Sequence, residues 1–296
     1  MKQRISLLGM PLNSGQPKVG THLGPKALRD AKIVERLQEL NYAVTDLGDV
    51  ALDDFVAETG DNNLKNLDHV LKSNVDLATA VEKIDMDSEF PFILGGDHSM
   101  AIGTLAGLGK KFDNLGVIWF DAHGDLNVAD TSPSGNIHGM SMAASLGIGH
   151  EVLVNVGGYT PKMKIRNTVL IAARDLDEGE VKLIEEIGMR VYTMDDVNRL
   201  GMDKVMEETL EYLKDCDGIH LSYDVDALSP ELTPGTGTRV PGGVTREDGV
   251  KFLDALRKAD VVTSLELVEV NPNLEDPGQE GMTAANAVDI IMSLFG

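Results

Sequence analysis

LGVIWFDAHGDLN, residues 115–127, is the stretch from which the fold can be read. Its first six residues, Leu115 to Phe120, form an apolar run of the kind found in strands buried on both faces. Asp121, His123 and Asp125 then occupy alternating positions just where that strand should end, and on an extended backbone such side chains point the same way. Charged groups are almost never fully buried unless they are paired or bind a metal, so three potential ligands at the mouth of an apolar strand call for a cation. The stretch predicts a buried strand that feeds a metal centre.

Working outward, seven more short apolar runs read as strands: 5–9, 44–50, 90–94, 168–172, 189–193, 219–223 and 261–268. Helical periodicity lies between them. One helix should begin at Pro25 and bury Leu28, Ala31, Val34 and Leu37. Another, after an acidic loop, runs through Leu64, Leu67, Leu71, Val75 and Leu77. Further helices are expected at 100–108, around 140–146, from Asp177 through Val181, Ile184 and Ile187, and at 203–213, 246–258 and 283–294. Eight strands alternating with helices mean an α/β protein with a largely parallel sheet. Periodicity alone leaves a closed barrel and an open doubly wound sheet equally possible, and both carry active sites at the carboxyl ends of strands. No repeat, low-complexity tract or linker divides residues 1–296, so a single domain is expected.

Composition narrows the function. Lys and Arg total 26 against 48 Asp and Glu, a net charge of -22 that repels phosphate backbones and argues against nucleic-acid binding. Cys216 is the only cysteine, which excludes an intrachain disulfide and a thiolate zinc site and agrees with a reducing cytoplasm. The basic start and the apolar run from Ile5 to Leu12 are too short and too interrupted by glycine for a signal peptide. No apolar run approaches the ~20 residues of a membrane span.

The ends of strands three, four, seven and eight hold the ligand-type residues: His98, then Asp121, His123 and Asp125, then Asp224 and Asp226, then Glu269. Two imidazoles with several carboxylates and no thiolate favour manganese among common metals. The six ligands His98, Asp121, His123, Asp125, Asp224 and Asp226 exceed what one open ion takes, whereas two ions ~3.5–4 Å apart would use them all and acidify a bound water. Each cluster alone has a plainer reading, since Gly-Gly-Asp-His after a strand is usually a capped turn and Asp-x-Asp often caps a helix. Their recurrence at equivalent strand ends favours the metal. His22, His69, His150 and His220 lack such company and read as packing or hydrogen-bonding residues.

At these residues the chain resembles the arginase/agmatinase (ureohydrolase) family. The likeness covers nearly the whole sequence: GGDHS at 95–99, DAHGDLN at 121–127, SGNIHG at 134–139, SYDVD at 222–226 and EVNP at 269–272, each weak alone but strong in this order and spacing. The resemblance implies an open three-layer α/β/α fold around a mostly parallel eight-stranded sheet, two manganese ions and a homo-oligomer, a trimer or hexamer. It assigns His98, Asp121, Asp125 and Asp224 to one ion and Asp121, His123, Asp224 and Asp226 to the other, with a bridging hydroxide attacking a guanidinium carbon. Asp125 would accept a hydrogen bond from that hydroxide, Glu269 would pair with the substrate guanidinium, and His138 would shuttle protons.

In such enzymes the loop after the metal cluster selects the substrate. Asn127, Ser134 and Asn136 match the residues that read an α-carboxylate, and Asp177 the residue that reads an α-amino group, so the resemblance implies L-arginine as substrate with urea and L-ornithine as products. The same Asp177 could simply begin a helix. Agmatine or guanidinobutyrate is the alternative substrate, a single-zinc deacetylase on a related fold or a non-catalytic homologue the more remote one. Ser229, Arg239 and Ala173 depart from the family pattern, and none of them is among the expected metal ligands.

Overall fold

The computed structural model describes residues 2–57 and 63–296, so residues 58–62 of the acidic loop lie outside the described residues. Its eight strands are β1 (Arg4–Met10), β2 (Ala43–Asp49), β3 (Glu89–Gly95), β4 (Leu115–Phe120), β5 (Thr168–Ala173), β6 (Arg190–Thr193), β7 (Gly218–Asp224) and β8 (Val262–Val268). They form one open sheet in the order β2-β1-β3-β8-β7-β4-β5-β6, with every pairing parallel. The open sheet, not the barrel, is the solution. Strands three, eight, seven and four, distant in sequence, are contiguous at its centre, so their carboxyl ends converge.

The helices are α1 (Gly24–Asp30), α2 (Ile33–Glu39), α3 (Leu67–Val81), α4 (Ala101–Leu108), α5 (Ser141–Ser145), α6 (Glu151–Val154), α7 (Glu178–Ile187), α8 (Met194–Leu200), α9 (Met202–Tyr212), α10 (Arg246–Ala259) and α11 (Met282–Ile291). Residues of α1, α2, α8, α9, α10 and α11 pack on one sheet face around Phe92, Phe120, Tyr223 and Leu265. Those of α3, α4, α5 and α7 cover the other face around Ile93, Val117, Trp119 and Leu170. Because alternate strand residues face opposite layers, β4 is apolar and buried throughout, and β3 is so from Phe90 onward. Among the described residues no helix is long and apolar enough to cross a membrane.

Three expectations need correction. The helix expected from Pro25 through Leu37 is two helices, because Lys32 takes a left-handed conformation (φ 68°) and lets Ile33 occupy the buried place expected of Val34. The α3 stripe is Val70, Leu77, Ala78 and Val81, while Val75 is exposed, and Val181 of α7 is exposed as well. Helix α8 was not anticipated, although Thr193 and Asp196 cap it reciprocally, with the Thr193 hydroxyl accepting from the Asp196 N–H.

Two devices hold the carboxyl edge. Gly96 lies so close to the turn after β1 that a Cβ there would sit 2.0 Å from the Leu12 carbonyl oxygen, and Asp97 N–H donates to that same carbonyl. Arg174, just past β5, donates only to carbonyls: to Asp226 at 2.6 Å, to Val240 at 2.9 Å and to Ala227 at 3.2 Å. It thereby ties the loop after β7 to the 239–244 segment. At the far sheet edge β2 is largely exposed, and Arg29 from α1 binds Asp46 and Asp49 on it.

Phe252 of α10 stacks on Phe120 with ring centroids 4.4 Å apart and is fully buried away from the ligand residues. Phe252→Ala is expected to cost about 3–5 kcal/mol in denaturant unfolding, and a loss below ~1 kcal/mol would contradict this packing. Arg174→Met leaves several carbonyls without their donor and should destabilise by roughly 1–3 kcal/mol. Faster amide exchange should accompany it within 225–244; unchanged exchange there would refute the clamp.

Candidate metal centre and substrate cleft

The four central strands deliver the expected residues to one place. His98 opens a short 3-10 turn after β3 that Asp97 caps, Asp121 follows β4 directly, Asp224 ends β7 with Asp226 in the next turn, and Glu269 follows β8. His98 Nδ1 lies 3.0 Å from Asp121, 3.1 Å from Asp125 and 3.1 Å from Asp224 carboxylate oxygens. His123 Nδ1 lies 3.3 Å from Asp121 and 3.1 Å from Asp226. Two candidate metal-binding groups result, His98 with Asp121 and Asp125, and Asp121 with His123 and Asp226; within each, the ligand atoms are all within 4.8 Å of one another. Asp121 belongs to both, and Asp224 joins the first through His98.

The chemistry of the donors fits a cation. His98 Nδ1 is buried and faces only the carboxylate oxygens of Asp121, Asp125 and Asp224, while its other nitrogen, Nε2, is 2.8 Å from the Ser222 hydroxyl. Ser222 in turn donates to Glu266 at 2.7 Å, so the Ser222 oxygen is left to accept from Nε2–H. That tautomer leaves the Nδ1 lone pair free for a metal. Trp119 braces the same pair of ligands: its Nε1–H donates to Asp121 at 3.0 Å and its ring stacks on His98 at 4.3 Å. Trp119, Ser222 and Glu266 were missed in the sequence, yet Trp119 lies two residues before Asp121 and Ser222 two before Asp224. The strand period of two puts them on the ligand face.

Electrostatics points the same way. Burial, with Asp226 and Asp121 nearby, pushes the Asp224 carboxyl well above the usual range. Burial and the Asp121 charge likewise raise Asp125, and burial lifts Asp226 to about 6 despite His123. Asp121 moves down, since hydrogen bonds with His123 and His98 outweigh its burial. Burial opposes charging of His98, but Asp125 and the hydrogen-bonding carboxylates hold its pKa well up. Three buried carboxylates, Asp125, Asp224 and Asp226, are thus pushed up beside the charge of Asp121, and a bound cation is what would reverse this. Backbone strain coincides with the site: Asp125 (φ 51°) and Glu269 (φ 65°) are both left-handed.

A cleft of about 180 Å³ opens beside these groups, lined by His98, His123, Asp125, Asp224, Asp226 and Glu269 together with Asn127, Ser134, Asn136, His138 and Asp177. All the residues expected to contact substrate therefore share one cleft. Glu269 accepts from His98 N–H at 2.8 Å, and His138 Nδ1 lies 3.3 Å from the same carboxylate oxygen. Burial resists charging of His138, but the hydrogen bond and charge of Glu269 raise its pKa overall. Glu180, buried and unanticipated, also lines the cleft and accepts from the N–H groups of Leu126 and Asp177. Burial lifts its carboxyl to about 7 even so. A glutamate three residues after the helix-capping Asp177 was its sequence signal.

Comparison with known proteins adds an independent finding. The signature of the Arginase family matches residues 3–296. The arginase of Bacillus subtilis is 53% identical over 296 residues, covering 100% of this chain and 99% of that protein. The solved structure of Bacillus caldovelox arginase superposes with a TM-score of 0.95 at 51% identity, over 100% of this chain and 99% of that one. Entamoeba histolytica arginase in complex with L-ornithine superposes with a TM-score of 0.92 at 34% identity, over 100% and 99%. With its parallel eight-stranded sheet, its His and Asp clusters at the central strand ends and its full-length match, this chain belongs to the arginase family.

Proposed function

We propose that the chain is an arginase, hydrolysing L-arginine to L-ornithine and urea in a single catalytic domain with two manganese ions. One observation carries the reading: the cleft that exposes the His and Asp cluster is also lined by Glu269 and by Asn127, Ser134, Asn136 and Asp177. A molecule with a guanidinium at one end and an amino-acid head group at the other matches that combination. Relatives named arginase at half identity over the full length support it.

Four carboxylates with neutral imidazole ligands would be balanced by two divalent cations, and oxygen donors with imidazole suit manganese. His98, Asp121, Asp125 and Asp224 would hold one ion, and Asp121, His123, Asp224 and Asp226 the other. When bound, the ions supply a water acidic enough to act as a nucleophile near neutral pH. Asp125 would accept a hydrogen bond from that nucleophile and so hold it in place. Glu269, fixed by His98 N–H, pairs with the guanidinium and holds its carbon in reach, a gain in orientation that a delocalised, weakly electrophilic centre needs. His138, whose pKa the neighbouring Glu269 raises, gives a proton to the departing amine. Asn127, Ser134 and Asn136 donate to the α-carboxylate, and Asp177 accepts from the α-ammonium group. A lone cysteine, Cys216, favours a reducing cytoplasm as its compartment.

Urea release from L-arginine should appear with manganese and vanish on chelation. A clear preference for agmatine or guanidinobutyrate, or a single zinc per chain on metal analysis, would overturn the assignment. Asp125→Asn is expected to lower kcat by about 10²-fold or more while circular dichroism stays unchanged, and wild-type turnover in that variant would refute the role of Asp125.

A further inference from the structure

Asn127 can recognise a carboxylate only through its N–H groups, because its carbonyl oxygen would repel the ligand. Something must therefore choose which way the amide faces. The Asn127 Nδ2 donates to Asp177 Oδ2 at 2.7 Å, and its Oδ1 accepts from the hydroxyl of Thr131 at 2.9 Å. The Thr131 oxygen itself accepts from Val128 N–H at 3.0 Å, which commits the hydroxyl proton to an acceptor. Of the two acceptors in range, Asn127 Oδ1 at 2.9 Å is closer than the Val128 carbonyl at 3.4 Å.

The geometry points to Thr131 as a positioning residue for head-group specificity: it turns the Asn127 amide so that an N–H faces the ligand carboxylate. This rests on the assignment of L-arginine as substrate. Asp177 holds the same orientation in the free protein, but a ligand ammonium group competes for its carboxylate. Thr131 is the anchor that remains once substrate arrives. It lies outside the cleft lining and is exposed, so it touches neither substrate nor the His and Asp cluster. Its own place is set from α7, where Gly179 packs so closely that a Cβ would lie 2.7 Å from the Thr131 Cβ. The loop that follows the metal ligands is thus registered against the start of α7 by a glycine, a threonine and an asparagine in series.

The test compares wild type with Thr131→Val, Thr131→Ser and Gly179→Ala in the manganese-loaded enzyme. Thr131→Val should raise KM for L-arginine about five- to tenfold with kcat changed less than twofold, the effect of one lost neutral hydrogen bond. The inhibition constant of L-ornithine should rise by the same factor, and that of 1,4-diaminobutane, which lacks the carboxylate, should not move. Thr131→Ser keeps the hydroxyl and should stay within twofold of wild type. Gly179→Ala, which displaces Thr131 without altering it, should reproduce the split between the two inhibitors. Equal weakening of both inhibitors in Thr131→Val, or an unchanged KM there, would overturn the inference while leaving the arginase assignment intact. Failure of the wild type to release urea from L-arginine would overturn both.

Discussion

Everything at the functional end of this molecule follows from one electrostatic constraint: four carboxylates, Asp121, Asp125, Asp224 and Asp226, are buried within reach of two imidazoles. Carboxylates do not gather in an interior unless cations or protons repay their lost hydration. The fold meets this demand by topology. Parallel strands all end on the same side, and the crossover order sets β3, β8, β7 and β4 side by side, so the residues at their ends, from His98 to Glu269, meet in one place. The charge is concentrated where helix and strand geometry already direct the chain, as expected at the carboxyl edge of an open α/β sheet.

Holding such a cluster requires more than its ligands. Trp119 and Ser222 fix His98 from two sides, and Glu266 orders Ser222 from deeper in the sheet. His220, whose Nδ1 lies 2.9 Å from the Ser264 hydroxyl, shares this buried layer with Glu266, 3.4 Å from its Nε2. Arg174 secures the loop that carries Asp226 by filling its carbonyls with a cation that meets no carboxylate directly. The left-handed backbone at Asp125 and Glu269 has anchors of its own: the Asp125 carbonyl accepts from Ala143 N–H, and Glu269 N–H donates to the Gly96 carbonyl.

The six candidate ligand residues were legible because two simple signals coincide, apolar runs of strand length and acidic or imidazole side chains at their ends, in two of the clusters at alternate positions. The eight strands were legible for the same reason. What the pattern could not carry was the choice between barrel and open sheet, because both bury their strands alike; strand order is a long-range property. The break at Lys32 was hidden because a lysine in the left-handed region has no residue-level flag comparable to glycine. Helix α8 was overlooked although its Thr193 and Asp196 cap was written in the sequence. The cleft residues Asn127, Ser134 and Asn136 are ordinary amides and a hydroxyl, and only the family resemblance singled them out. Glu266 and Ser222 looked like strand residues because they are strand residues, buried for the sake of an imidazole one layer above.

The edge strand β2 shows what happens where a parallel sheet must stop. Its outer side presents unpaired backbone groups, which would be a template for further strands from neighbouring molecules. Here the edge is interrupted by a register shift opposite the Leu7–Gly9 stretch of β1 and carries Asp46 and Asp49. Arg29 pairs with both carboxylates, one cation against two acids, in a chain that is strongly acidic overall. Two molecules approaching β2 to β2 would therefore meet like charges across a kinked border, which opposes growth of the sheet from that edge.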